Sequence, residues 1–286
     1  MFSITGHINF YMDSKVLAII GMHRSGTSLI TRWLNSCGLP IGVALHGPDV
    51  GNIDGHYEDL DFLQLHEQIL VANQLSPIGL ITQPVNHITD YFRGKMKGVI
   101  QLKCQHFAQW AWKDPRTCLF LSAYREYLPG AKYLVVIREA SVVVDSLIRR
   151  EFKNYENLLL FESIYPAKVY WSKFQKRKKL QEFYEKYTED FYKVWLLYNR
   201  SILEHLEQIP RDDFIVVDYK MLQLCSEKVY SHLQHDWGFQ LNYFDYNKIY
   251  NGKYITGKTE KAQHLSDASL FFQVNEVENQ LRKFIL

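Results

Sequence analysis

Val16-Leu17-Ala18-Ile19-Ile20-Gly21-Met22-His23-Arg24-Ser25-Gly26-Thr27-Ser28 decides the fold. Its first five residues form a short, unbroken apolar run, the pattern of a strand buried on both faces. A helix is expected from about Thr27 to Cys37, ended by Gly38 and Pro40. Between strand and helix, Gly21 and Gly26 permit a tight turn and close approach of an anion. In such a connection the backbone N–H groups turn inward and the helix N-terminus adds a partial positive charge. The loop therefore reads as an anion cradle. The plainer alternative is an ordinary strand-to-helix turn with a Ser or Thr cap.

The GxxxxG spacing is that of the Walker A pattern, but Thr27 stands where that motif has Lys. A nucleoside triphosphatase uses that Lys on the β- and γ-phosphates. Here Arg24 supplies a cation earlier in the loop, beside the hydroxyls of Ser25, Thr27 and Ser28.

Outward from this loop, strand and helix signals alternate. They predict an α/β fold of three layers, P-loop-like, with a central parallel sheet flanked by helices. Further strands are expected at Trp110–Lys113, Lys132–Ile137 and Phe214–Val217. Helices are expected at Leu60–Asn73, Thr117–Tyr127 and Ser141–Arg150, and over Tyr165–Glu207 with a break near Lys186–Asp190. Ile41 to Gly55 reads as loop. No repeat or linker divides the chain, so a single domain over residues 1–286 is expected.

Bulk composition excludes several function classes. Of 286 residues, 47% are hydrophobic and 22% charged, as in an ordinary globular protein. The formal charge of +2 gives no global field for nucleic acid, so no nucleic-acid partner is expected. Cys37, Cys104, Cys118 and Cys225 are scattered, with neither CxxC nor pairing rhythm. Met1 to Lys15 lacks the apolar core of a signal peptide, and no stretch reaches the length of a membrane span. A cytoplasmic protein is the expectation.

A second anion site is expected after the Lys132–Ile137 strand. Arg138 ends that strand, and Ser146 lies eight residues on in the next helix. An Arg at a strand's carboxyl end and a Ser on the following helix can bracket a phosphate from two sides.

Two such sites in this order resemble the PAPS-dependent sulfotransferase family, in the branch of bacterial and tyrosylprotein sulfotransferases. The likeness extends to Gly55-His56-Tyr57-Glu58, Trp112-Lys113-Asp114-Pro115-Arg116 and Val217-Asp218-Tyr219, so it spans Lys15 to about Leu224. It implies that Arg24, Ser25, Gly26, Thr27 and Ser28 hold the 5′-phosphosulfate of the donor, and that Arg138 and Ser146 hold its 3′-phosphate. Tyr219, just past the fourth strand, is expected beside the donor nucleotide, the alternative being an ordinary strand-end aromatic. The catalytic His segment of the small-molecule cytosolic branch has no counterpart here. Its Arg-Lys-Gly loop has only a faint echo in Asn251-Gly252-Lys253 and Gly257-Lys258, which leaves the C-terminal contacts to the donor open, with Lys253 and Lys258 as candidates.

The resemblance implies in-line transfer of a sulfuryl group from PAPS to a hydroxyl or amine, with release of PAP. Protein cations can neutralise the leaving phosphate, so no metal is expected. Arg24 and Lys113 are the candidate cations at the transferring group, while Asp114 and Arg116 hold a turn. Glu58 is the candidate general base, with His56 and then His46 as alternatives. Glu58 can equally be a charge that opens the helix at Leu60. The acceptor, whether glycan, lipid, peptide tyrosine or small molecule, is expected to meet variable insertions at about 41–58, 76–94 and 151–189.

His46, Asp49, Asp54 and His56 match no metal-binding spacing and read as a substrate loop. Lys173, Lys176, Arg177, Lys178 and Lys179 read as a solvated helix face rather than a site for an anionic acceptor. Two other function classes stay open. A P-loop small-molecule kinase would need a loop Lys and magnesium, and a non-catalytic nucleotide-binding protein would bind the donor without turnover.

Overall fold

A computed structural model describes residues 14–47, 55–161, 165–250, 265 and 267–286. Strand β1 (Lys15–Ile20) leads through the glycine loop into α1 (Thr27–Ser36). Helices α2 (Leu60–Ala72) and α3 (Asp90–His106) precede β2 (Gln109–Lys113). A 3-10 turn at Pro115–Leu119 and α4 (Leu121–Tyr127) lead to β3 (Lys132–Ile137). Then come α5 (Ala140–Leu160), α6 (Tyr165–Tyr170), a π-helical turn at Trp171–Gln175 and α7 (Lys176–Leu206). The chain closes with β4 (Phe214–Asp218), α8 (Leu222–Ser231) and α9 (Ala268–Arg282).

The four strands form one parallel sheet in the order β2-β1-β3-β4. Side chains alternate between its faces. Leu17, Ile19, Leu134 and Val136 pack with Trp33 of α1 and Val229 of α8 on one side. Val16, Ala18, Ile20 and Val135 pack with Phe62 of α2 and Trp195 of α7 on the other. This double burial explains why the strands read as unbroken apolar runs. Backbone contacts also cover both sheet edges. Ala111 N donates to Pro40 O at 2.8 Å, and Leu286 N donates to Val216 O at 3.0 Å.

The strand order places the site. From β1 the chain runs toward the β2 edge, and from β3 it runs toward the β4 edge. The two connections diverge, which opens a crevice at the carboxyl ends of β1 and β3, where open α/β sheets bind ligands. The glycine loop follows β1, and Arg138 follows β3.

Several elements differ from the sequence expectation. The expected helix at Thr117–Tyr127 is split, because Asp114 O accepts Thr117 N at 3.0 Å in a tight turn before α4 begins. Helix α5 continues ten residues past Arg150, held by Phe152 and Glu156 on its buried face. No break occurs at Lys186–Asp190, since Tyr184, Thr188, Phe191 and Trp195 keep one buried stripe running through it. The irregularity lies earlier, in the π-helical turn. Helix α3 overlaps the segment read as a variable insertion. Its buried stripe is thin (Met96, Ile100 and Lys103), and Gly94 and Gly98 hide it further. Helices α8 and α9 are also additions to the sequence reading. Lys253, Lys258, Asp49 and Asp54 lie outside the described residues. No described helix is long and apolar enough to cross a membrane.

Candidate functional site

Loop geometry follows from two glycines. A Cβ on Gly21 would stand 2.5 Å from Val136 O, so the loop leaves β1 pressed against β3. Gly26 has φ +96, and a Cβ there would stand 2.0 Å from Tyr219 Cδ2. Tyr219 thus lies flat against the start of α1. That helix has no side-chain N-cap and no acidic residue in its first turn. Its leading N–H groups have no intrahelical acceptor, so the end of α1 offers donors and positive potential. The alternative of an ordinary turn capped by Ser or Thr therefore lacks its cap.

The two expected anion sites are one cluster. Arg24 Nε donates to Ser146 Oγ at 2.9 Å. Arg138 Nη1 donates to Arg24 O at 2.9 Å, and its guanidinium lies 4.7 Å from the Tyr219 ring centroid. Arg138 is buried, and burial lowers its pKa against the opposing pull of Tyr219, Asp145 and Asp218. Its Nε is a buried donor without an acceptor among the described residues. A buried guanidinium with an unused donor fits an incoming anion, because an uncompensated buried charge is costly. Ser25 and Thr27 are buried at the base of the loop, and Ser28 faces Lys113.

Lys113 ends β2 and is 1% exposed. Its Nζ lies 3.3 Å from Ser28 Oγ and 2.9 Å from Glu58 Oε1. One ammonium therefore joins the glycine loop to the segment opposite. Glu58 is held there by a short antiparallel contact in which His46 N donates to Glu58 O at 2.7 Å and Leu45 pairs with Asp59. Asp59, not Glu58, caps α2, accepting from Asp61 N at 2.9 Å. That finding removes the capping reading of Glu58.

His56 Nδ1 lies 3.9 Å from Glu58 Oε1, and the His46 and His56 rings are 4.7 Å apart. Among the described residues, His46, His56 and Glu58 each bring a potential metal-ligating atom within 4.8 Å of the others. The spacing of these residues in sequence gave no sign of this grouping. Lys113 competes for the same carboxylate oxygen.

Asp114 and Arg116 hold the turn after β2, as expected. Asp114 Oδ1 accepts Arg116 N at 2.8 Å, and Arg116 Nη1 reaches both Asp114 oxygens at 3.0 and 3.1 Å. Burial opposes ionisation of Asp114, yet Arg116 and His66 hold its carboxyl below the usual carboxylate range.

Two residues at the site escaped the sequence reading. His23 is buried edge-on to Tyr198 at 5.7 Å. Burial, and then Arg150, Arg116 and Lys113, push its pKa well below the ordinary imidazole value against the opposing pull of Asp114. It is therefore a neutral ring among cations. Arg150 lies one helical turn after Ser146, at the i+4 spacing that puts both on one side of α5. Its Nη2 is a buried donor without an acceptor among the described residues. The i, i+4 spacing of Ser146 and Arg150 was the available signal.

The model of the family described as "Sulfotransferase family" matches residues 17–241. Among solved structures, a sulfotransferase domain from the curacin biosynthetic pathway is 16% identical, with a TM-score of 0.47, covering 94% of this chain and 98% of its own. A sulfotransferase domain from the Synechococcus PCC 7002 olefin synthase is 16% identical, with a TM-score of 0.46, covering 95% and 94%. No curated protein sequence matches the chain.

Proposed function

The chain belongs to the sulfotransferase family, and from that premise we propose that it moves the sulfuryl group of PAPS to an acceptor hydroxyl or amine and releases PAP. The observation that carries the donor assignment is the convergence of Arg24, Arg138 and Ser146 on one crevice. A donor with phosphates at both ends of its ribose uses both halves of that cluster. The 5′-phosphosulfate lies along Arg24, Ser25, Gly26, Thr27 and Ser28 at the start of α1. The 3′-phosphate meets Arg138 and Ser146, with Tyr219 beside the nucleotide.

In the proposed reaction the bond from sulfur to the donor's phosphate oxygen breaks as sulfur bonds to the acceptor oxygen or nitrogen. Glu58 takes the acceptor's proton. Lys113 and Arg24 face the charge that develops on the leaving phosphate. The Lys113–Glu58 pair gives this a simple logic. When Lys113 turns to the leaving oxygen, the Glu58 carboxylate is released to face the acceptor. His56 lies near enough to Glu58 to serve as the second candidate base. Segments 41–58, 76–94 and 151–189 supply the acceptor side within a single domain. The expectation of a cytoplasmic enzyme that needs no metal belongs to the same proposal.

Titration with PAP and with ATP, read as thermal stability, tests the assignment. A shift with PAP and none with ATP supports it. A shift with ATP that depends on magnesium would replace it with the kinase reading. PAP binding with no turnover on any acceptor class would leave a binding protein.

A further inference from the structure

The last turns of α5 pack against the π-helical turn at Trp171–Gln175, and this inner side is fully explained. Trp171 is buried, its ring 6.3 Å from Phe152 and 6.0 Å from Tyr155, and its Nε1 donates to Glu156 at 2.9 Å. The outer side is not explained by folding. Leu158, Phe161, Tyr165 and Phe174 are 81, 83, 79 and 67% exposed, and Leu159 and Tyr170 are exposed as well. Six large apolar side chains exposed within seventeen residues are a local concentration of apolar surface of the kind that marks an interaction site. An outer helix face serving only solvent would be polar.

The charges around this patch have one sign. Between Leu158 and Lys178 the sequence holds five basic residues and one acidic residue. Lys176 is paired with Glu156. Lys168, Lys173, Arg177 and Lys178 are exposed and make no ion pair among the described residues. The Tyr170 and Phe174 rings are 5.3 Å apart, with exposed Lys173 between them in sequence. Exposed apolar and aromatic side chains, with free cations among them in sequence, are the pattern of a helix lying in a lipid interface. The aliphatic side chains enter the acyl boundary, and the lysines reach up to headgroup phosphates.

We propose that the end of α5 and the outer side of α6 and the π-helical turn, through Leu158, Phe161, Tyr165 and Phe174, dock this protein on an anionic lipid surface. The attachment is peripheral, since no described helix can span a bilayer. An acidic protein partner would satisfy the cations. It would also need a groove shaped for Leu158 and Phe161, whereas a lipid surface accepts exposed apolar side chains without one. The inference goes beyond the proposed reaction, and it gives residues 158–178, inside the segment assigned there to the acceptor side, a second role that donor binding does not require.

Cosedimentation of the full chain with vesicles tests it. Binding is expected to phosphatidylcholine vesicles that contain phosphatidylserine, to be weak on phosphatidylcholine alone, and to fall with salt. The double variants Phe161→Ser/Phe174→Ser and Lys168→Glu/Lys173→Glu should each lose at least about tenfold in partitioning. All four side chains are exposed, so both variants should keep the parent melting temperature and the parent response to PAP. Failure of the parent to bind phosphatidylserine vesicles overturns the proposal, as does unchanged binding of both variants. Retention on polyglutamate without binding to vesicles would also overturn it, in favour of an acidic protein partner.

Discussion

Nζ of Lys113 lies 2.9 Å from Oε1 of Glu58, and both side chains are buried. The pair neutralises two charges that the interior would otherwise hold alone. Replacing Lys113 by Met leaves the carboxylate without its counter-charge, and such losses cost about 3–5 kcal/mol. Lys113→Met should therefore melt lower than the parent, while Lys113→Met/Glu58→Gln should recover much of the loss. Additive losses in that double-mutant cycle would show that the two groups are not coupled.

Glu58→Gln separates binding from chemistry. The amide keeps the shape and can still accept a hydrogen bond from Lys113, but it cannot take the acceptor's proton. Transfer should fall by roughly 10²–10⁴-fold, as for loss of a general base, with PAP affinity near that of the parent. Near-normal turnover would move the base to His56.

Arg138 distinguishes the two ends of the donor. It braces the loop through Arg24 O, lies over Tyr219, and holds one donor in reserve. Arg138→Ala should weaken PAP by roughly 10- to 100-fold, the range of a charge-assisted hydrogen bond, and largely spare adenosine 5′-phosphosulfate, which has no 3′-phosphate. Calorimetric titration of both ligands decides this, and equal loss for the two would refute the assignment.

Much of this site was legible because it hangs on parallel strands buried on both faces. Val16–Ile20, Lys132–Ile137 and Phe214–Val217 announce themselves as apolar runs, and their carboxyl ends carry the glycine loop, Arg138 and Tyr219. Lys113 was legible as the end of a short strand. What stayed hidden depends on tertiary context. The approach of His46 to His56 is set by the antiparallel contact of Leu45 with Asp59, which has no local signature. His23 sat in the quoted loop, but its neutrality comes from burial beside Arg150 and Arg116, distant in sequence. Helix α9, by contrast, carries a regular buried stripe of Leu270, Val274, Val277 and Leu281, a pattern legible in the sequence. Helix α3 had almost no stripe to find.

Gly26 is a position where backbone and packing demand the same residue. Its φ of +96 is unfavourable for any side chain, and Tyr219 fills the space a Cβ would take. Gly26→Ala should abolish PAP binding and destabilise the fold. Adding Tyr219→Ala relieves the contact but not the backbone, whose left-handed conformation costs an L-residue about 1–2 kcal/mol. The double variant should therefore recover stability only in part. Full recovery would mean that the loop tolerates the conformation and that packing alone fixes Gly26.

His205 on α7 gives the fold an acid-sensitive point away from the candidate site. Its ring lies 4.4 Å from that of Tyr133 in an edge-on contact, and neither ring nitrogen has a partner among the described residues. Burial, aided by Arg125, lowers its pKa to about 4, against about 6.5 in an unfolded chain. Between those values the unfolded chain binds a proton that the folded protein refuses, so stability rises with pH across this window. The contribution is intact above about 6.5 and is lost as pH falls toward about 4, a change of roughly 3 kcal/mol. His205→Phe keeps an aromatic edge against Tyr133 and removes the titration. Urea unfolding across that range should show the variant losing less stability than the parent as pH falls. Some slope should remain in the variant, because His23 is also held neutral by burial. Parallel stability curves for variant and parent would show that His205 already takes up its proton in the folded state.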